Sequence, residues 1–199
     1  MAYIGSNIAV ACHERNDRKI MRTNVRKIAF AGVVAALYAT LTVSGAAIAY
    51  GPVQLRFAEV LCILPFFFPF STVGLFIGCL IANILSPYGL LDIAAGSFAT
   101  LISAYCTMSI GTINKESTPL KALACFPPVI FNALIIGAVI AWSMTSGTDA
   151  FWAAFAINGM QVGFGQLIVL YALGLPLMIY LPKIRLFTML NEQYYYSIR

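Results

Sequence analysis

Five long stretches of the chain carry no formally charged residue: 28–55, 60–91, 93–114, 122–148 and 150–182. Each exceeds the roughly 18 apolar residues that suggest a membrane-crossing helix. None shows the alternation of polar and apolar positions that the short strands of a closed barrel require. The pattern therefore predicts an α-helical membrane protein. The run 60–91 is too long for one ordinary span and holds Pro65, Pro69, Ser71 and Thr72 near its middle. It reads either as one crossing plus a loop or as two short crossings.

Charge decides between these. Twelve basic and seven acidic residues leave a formal net charge of +5, and eight of the charges lie in the first 27 residues. With a cytoplasmic N-terminus, five crossings would put Lys115, Lys121, Lys183 and Arg185 outside. Six crossings return all four to the inner side and leave Arg56 as the only outer basic residue, which the bias of basic loops toward the cytoplasm prefers. The predicted spans are 28–50, 56–69, 72–86, 92–112, 122–145 and 150–181, with both termini cytoplasmic. Outer loops then cover 51–55, 87–91 and 146–149, and inner connections cover 70–71 and 113–121. Residues 1–20 read as a poorly ordered extension, 21–185 as the membrane domain and 186–199 as a cytoplasmic tail, with Met21 an alternative natural start.

Composition agrees. The chain is 61% hydrophobic and 10% charged, with mean hydropathy +0.88, against about 45–50% apolar and about 25% charged in soluble domains. Disorder needs the opposite balance. The five cysteines show no C-x-x-C spacing, and four lie in or beside spans, where Cys acts as a small apolar residue. A single histidine, His13, leaves no His-based zinc site or nucleophile–base pair in the membrane. No lysine follows a glycine, so there is no phosphate-binding loop of the G-x-x-x-x-G-K type. The expectations are no enzyme activity, no metal, no cofactor and no nucleic-acid partner.

Crossing about 30 Å of hydrocarbon takes about 20 helical residues, and 60–91 supplies two segments of about 15. The second span must therefore recruit residues before position 60, which draws Arg56, Glu59 and Asp92 to the outer lipid boundary. Ionisable groups there usually pair or line a cavity. Gln54, Asn83, Tyr88, Asn158 and Gln161 fall at the same depth. Together these eight predict a polar, outward-opening pocket for a flat, hydrogen-bonding solute. The competing reading is a satisfied Arg56–Glu59 pair at i, i+3 with amides joining helices.

Ala31, Ala35 and Ala39, flanked by Gly32 and Ala36, form a small-residue stripe suited either to internal packing or to docking a separate membrane subunit. Phe66, Phe67, Phe68 and Phe70 read as lipid or core packing, and Asn132 and Gln166 as helix–helix hydrogen bonds. Pro176 with Gly163, Gly165 and Gly174 predicts bends in the sixth helix.

Several stretches resemble the QueT family of queuosine-precursor transporters. They are Ala35-Ala36-Leu37-Tyr38-Ala39-Thr40-Leu41-Thr42, Gly51-Pro52-Val53-Gln54-Leu55-Arg56-Phe57-Ala58-Glu59, the block from Gly74 to Asn83, and Asp92 to Leu101. The resemblance runs over roughly residues 22–185. It implies a six-helix substrate-binding S component of an energy-coupling factor (ECF) transporter, capturing a 7-deazaguanine. Such a subunit works with a transmembrane T component and two ATPase subunits, and small-residue motifs on its first helix contact the T component, which would be Ala31, Ala35 and Ala39 here. The alternatives are an S component for another vitamin-like solute, or a small membrane enzyme using Glu59 and Asp92 as acid–base groups.

Overall fold

A computed structural model describes the backbone of residues 2–51, 54–145, 148–185 and 187–190, and side chains at 21, 24–51, 54–145, 150–185 and 187–190. Among these residues the protein is all helical. The elements are α1 (Ala2–Ser44), α2 (Ala46–Ala49), a 3-10 helix (Phe57–Phe66), α3 (Ser71–Asn83), α4 (Leu90–Gly111), α5 (Thr118–Ala124), α6 (Phe126–Met144), α7 (Thr148–Ile168), a π-helical turn (Val169–Gly174) and α8 (Leu175–Tyr180). Four stretches are long and apolar enough to cross a bilayer: Asn24–Ser44, Leu90–Gly111, Thr118–Met144 and Ala150–Lys183. This makes the chain a multi-pass membrane protein.

Contacts set the directions of the elements. Gly74 and Gly78 of α3 abut Ala31 and Ala35 of α1 in that order, so these helices run parallel. Tyr38 reaches Glu59, and the ring of Phe30 lies 5.2 Å from that of Phe68, so the 3-10 helix runs against α1. It therefore forms a hairpin with α3. Asn83 bonds Asp92 and Cys79 meets Thr100, which makes α3 and α4 antiparallel. Thr107 bonds Ala124, and Gly96 faces Ile136, so α6 runs against α4. Gly137 abuts Gly159 and Ala133 abuts Gly163, so α7 runs against α6.

The hairpin is where the sequence expectation changes. Instead of an α-helix over 56–69, the chain forms ten residues of 3-10 helix with Pro65 inside it. A 3-10 helix rises about 2.0 Å per residue, so these ten reach about 20 Å, where an α-helix would reach about 15 Å. The 13 residues of α3 reach about the same 20 Å. The two arms match in length, and neither equals a full hydrocarbon thickness.

Two further breaks follow from proline. The expected span 122–145 is divided at Cys125, because Pro127 and Pro128 lack the N–H that would continue α5 and fit the first turn of α6 instead. The expected bend in the last span is the π turn just before Pro176, whose ring is incompatible with an ordinary helical carbonyl at Ala172. At the other end of the chain, the helix continues back through residues 2–20, the stretch expected as a poorly ordered extension. Its 43 residues reach about 65 Å, beyond what a bilayer needs, and the part suited to crossing starts at Asn24. Residues 191–199 of the expected tail lie outside the described residues.

The packing is inverted relative to a water-soluble protein. Leu37, Val73, Ile77, Phe98, Leu134, Trp142 and Phe164 face outward, while Gln54, Arg56, Glu59, Asn83, Asp92 and Gln166 are buried. Lipid tails accept the first set but offer no hydrogen bonds to the second. One end of the bundle is closed by Phe30, Phe66, Phe67, Phe68, Phe70 and Phe187, with contacting ring centroids 5.0–5.7 Å apart. Phe66, Phe67 and Phe68 are core residues, not lipid contacts.

The alanine stripe on α1 also points inward. Ala35 is 7% exposed, and a Cβ added at Gly78 would sit 2.7 Å from its carbonyl oxygen. Gly74 stands as close to the backbone of Ala31. Ala31 and Ala35 are therefore the seam between α1 and α3, and Ala39 follows on the same inward side, half-buried. This is the internal-packing alternative for the stripe: small residues let two helices of this chain approach closely at Ala31 and Ala35.

Candidate functional site

The end of the bundle away from the phenylalanines gathers polar side chains from four elements. Asp92 lies in the first turn of α4. Gly89, at φ +67° and ψ −148°, turns the chain into that helix in a conformation essentially reserved for glycine. Its carbonyl accepts the backbone N–H of Asp92 at 3.1 Å and of Ile93 at 3.2 Å. This turn is what sets Asp92 at the bundle axis.

Arg56 meets it from the opposite hairpin arm. Its Nη2 stands 3.4 Å from Asp92 Oδ2, with the two residues 2% and 0% exposed. The same guanidinium donates from Nε to the Ala49 carbonyl at 3.4 Å and lies over the Tyr50 ring, 5.3 Å from its centroid. Ser86 Oγ donates to Asp92 Oδ2, and the Tyr50 hydroxyl donates to the Ala82 carbonyl. Asn83 Nδ2 donates to the backbone carbonyl of Asp92 at 3.0 Å. The ends of α2 and α3 and the starts of the 3-10 helix and α4 are thus tied together through one ion pair.

Glu59 takes a different place. Tyr38 donates its hydroxyl to Oε1 at 2.7 Å and Cys62 donates its thiol to Oε2 at 3.1 Å. The Arg56–Glu59 pair of the competing reading does not form; Arg56 pairs with Asp92 instead. Arg56 precedes the 3-10 helix in an extended conformation (φ −88°, ψ 101°), so its side chain is directed to α4 and not along its own helix.

Gln54 is buried with a left-handed backbone, φ +46°, and its carbonyl accepts the N–H of Arg56 at 2.9 Å. Tyr88 donates its backbone N–H to Ser86 Oγ at 3.3 Å and packs against Ile136, Ile140 and Val162. Asn158 donates to the Ala154 carbonyl of its own helix at 2.8 Å. Among the described residues no hydrogen bond joins Asn158 or Gln161 to Arg56, Asn83 or Asp92. Helix α7 reaches this end through Val162 instead.

Of the eight predicted residues, the structure brings Gln54, Arg56, Asn83, Tyr88 and Asp92 to one place. Glu59 lies one turn deeper, and Asn158 and Gln161 stay on α7. Tyr38, Tyr50, Cys62 and Ser86 are partners that the pattern reading did not single out. A hydroxyl within an otherwise apolar run was the available signal for Tyr38 and Tyr50. Three buried atoms in this region have no hydrogen-bond partner: Gln54 Nε2, Asn83 Oδ1 and Asp92 Oδ1. Each would cost about 1–3 kcal/mol if left unsatisfied. Among the described residues no group of three or more His, Cys, Asp or Glu side chains is placed to hold a metal ion.

Residues 28–183 match the family described as QueT transporter, well over half of the chain. The queuosine precursor transporter QueT of Lactococcus lactis subsp. cremoris (strain MG1363) is 40% identical over 72 residues, covering 35% of this chain and 42% of that relative's length. No solved structure matches. On the strength of the match over 28–183, this multi-pass membrane protein belongs to the QueT transporter family.

Proposed function

We propose that the chain is the solute-binding subunit of an ECF transporter that imports a 7-deazaguanine precursor of queuosine. It lies in the cell membrane with six crossings and both termini in the cytoplasm. A T component and two ATPase subunits supply the driving force, and the chain's lack of a phosphate-binding loop accords with that division of labour. The observation that carries the solute reading is the buried Arg56–Asp92 centre, with unpartnered donor and acceptor atoms around it, inside a QueT-family chain. A 7-deazaguanine presents two adjacent donors and a carbonyl acceptor, a set that such atoms complement. The phenylalanine-packed opposite end supports capture from the outer side and release only after rearrangement.

Direct binding tests it. Purified protein is expected to bind 7-cyano- or 7-aminomethyl-7-deazaguanine at one molecule per chain and return it unaltered. Stoichiometric binding of riboflavin or another vitamin, without response to deazaguanines, would move the assignment to a different solute. Chemical conversion of the ligand would make the chain an enzyme.

The orientation has its own check. The alternating directions of the long helices support placing Leu90 outside and Ile113 inside, and both are well exposed. A thiol reagent that does not cross membranes is expected to label Leu90→Cys on intact cells and Ile113→Cys only after lysis. The reverse pattern overturns six crossings with cytoplasmic termini.

A further inference from the structure

We infer that Asp92, and not Glu59, is the carboxylate that faces the solute, acting with Asn83 and Gln54 to read an edge of two adjacent donors beside a carbonyl. This assignment rests on the reading above that the site takes a 7-deazaguanine. Remaining hydrogen-bond capacity separates the two carboxylates. Both oxygens of Glu59 are engaged, Oε1 by Tyr38 and Oε2 by Cys62. On Asp92, Arg56 and Ser86 both address Oδ2, which leaves Oδ1 free. Asn83 uses its Nδ2 on the Asp92 carbonyl, so its Oδ1 is the free atom. Gln54 adds an unpartnered donor, Nε2, two residues from Arg56.

These three side chains are 1%, 0% and 0% exposed for Gln54, Asn83 and Asp92. Their free atoms comprise two acceptors and one donor, which complements two donors and one acceptor. Gly96 marks where they meet: a Cβ there would run into Asn83 Nδ2 and lie 3.4 Å from both Asp92 Oδ1 and Ile136 Cδ1. The free carboxylate oxygen, the Asn83 amide and Ile136, which packs with Tyr88, therefore all border Gly96. Apolar and aromatic surface next to a free acceptor suits a flat ring held by its polar edge. The second carboxylate stays with the chain: Glu59 is a positioning residue that ties the hairpin to α1.

The test uses the purified full chain in detergent and two probes, 7-cyano-7-deazaguanine and the same ring without its exocyclic amine, 7-cyano-7-deazahypoxanthine. The wild-type protein is expected to bind the amino probe about tenfold more tightly or better, a ratio of about 1.4 kcal/mol per tenfold. Asp92→Asn turns an N–H toward the solute's donors and is expected to bring the ratio near one. Glu59→Gln keeps an acceptor for Tyr38 and is expected to keep the ratio. Gln54→Asn suits the left-handed backbone, withdraws the amide by one methylene, and is expected to weaken both probes equally.

Loss of the ratio in Glu59→Gln with retention in Asp92→Asn overturns the assignment, as do equal wild-type affinities for the two probes; the deazaguanine reading survives either result. Wild-type protein that binds neither probe overturns that reading and the assignment together. If Asp92→Asn fails to fold, Gln54→Asn decides, and unchanged affinity for both probes in that variant sinks the proposed set.

Discussion

Replacing Arg56 by Met is expected to cost about 3–5 kcal/mol of stability, the range for breaking a buried ion pair from one side. Asp92 is 0% exposed. Without the guanidinium, its Oδ2 keeps only the Ser86 hydroxyl, and Ala49 and Tyr50 lose the group that joins α2 to the hairpin. Chemical unfolding in detergent measures the loss. The double variant Arg56→Met/Asp92→Leu separates charge from packing, because replacing both members of a buried pair by apolar groups is often neutral. It is expected to regain most of the stability while solute binding stays lost. A single variant that unfolds with the wild type would mean that the pair contributes nothing to the fold.

The second large effect is expected at the α1–α3 seam. A Cβ at Gly74 meets the backbone carbonyl of Ala31, and one at Gly78 lies 2.7 Å from the Ala35 oxygen and 2.8 Å from Tyr38 Cβ. Backbone atoms inside a helix cannot step aside singly, so Gly74→Leu must push the two helices apart. The cost is expected near the upper part of the overpacking range, about 3 kcal/mol. The displacement also draws Tyr38 from Glu59, whose Oε1 then loses its 2.7 Å partner. Gly32 is the internal control: a Cβ added there, on helix α1, would meet nothing within 4 Å, so Gly32→Leu is expected to unfold with the wild type. Equal unfolding of the two variants would show that the seam is not tightly packed.

The residues behind these effects were unequally readable beforehand. Gln54, Arg56, Asn83 and Asp92 were legible as inward-facing polar residues because a polar group inside an apolar run has few alternatives. Its cost in lipid forces it inward whatever the fold. The hairpin was legible from length and charge together: the run 60–91 is too long for one span, and only two crossings there return Lys115, Lys121, Lys183 and Arg185 to the side of the basic N-terminus. Asn158 and Gln161 met the same criterion, but Asn158 satisfies itself on the Ala154 carbonyl of its own helix. Depth along the bundle axis places a residue at a level; it does not say which way around the helix it points.

The amino-acid order alone settled the class, an apolar helical chain with its few charges at the ends of long runs, since insertion energy adds up locally along each segment. It also placed Arg56, Glu59 and Asp92 within a turn or so of one another in depth. The tertiary structure decided which carboxylate Arg56 meets, which face of the alanine stripe is inside, and that the short hairpin arm is a 3-10 helix. In lipid both the inward and the outward faces of a helix are apolar, so no amphipathic period marks the inner side. Rotation and partner choice were left to close approach at Gly74, Gly78 and Gly96 and to the turn at Gly89, which only the packed bundle reveals.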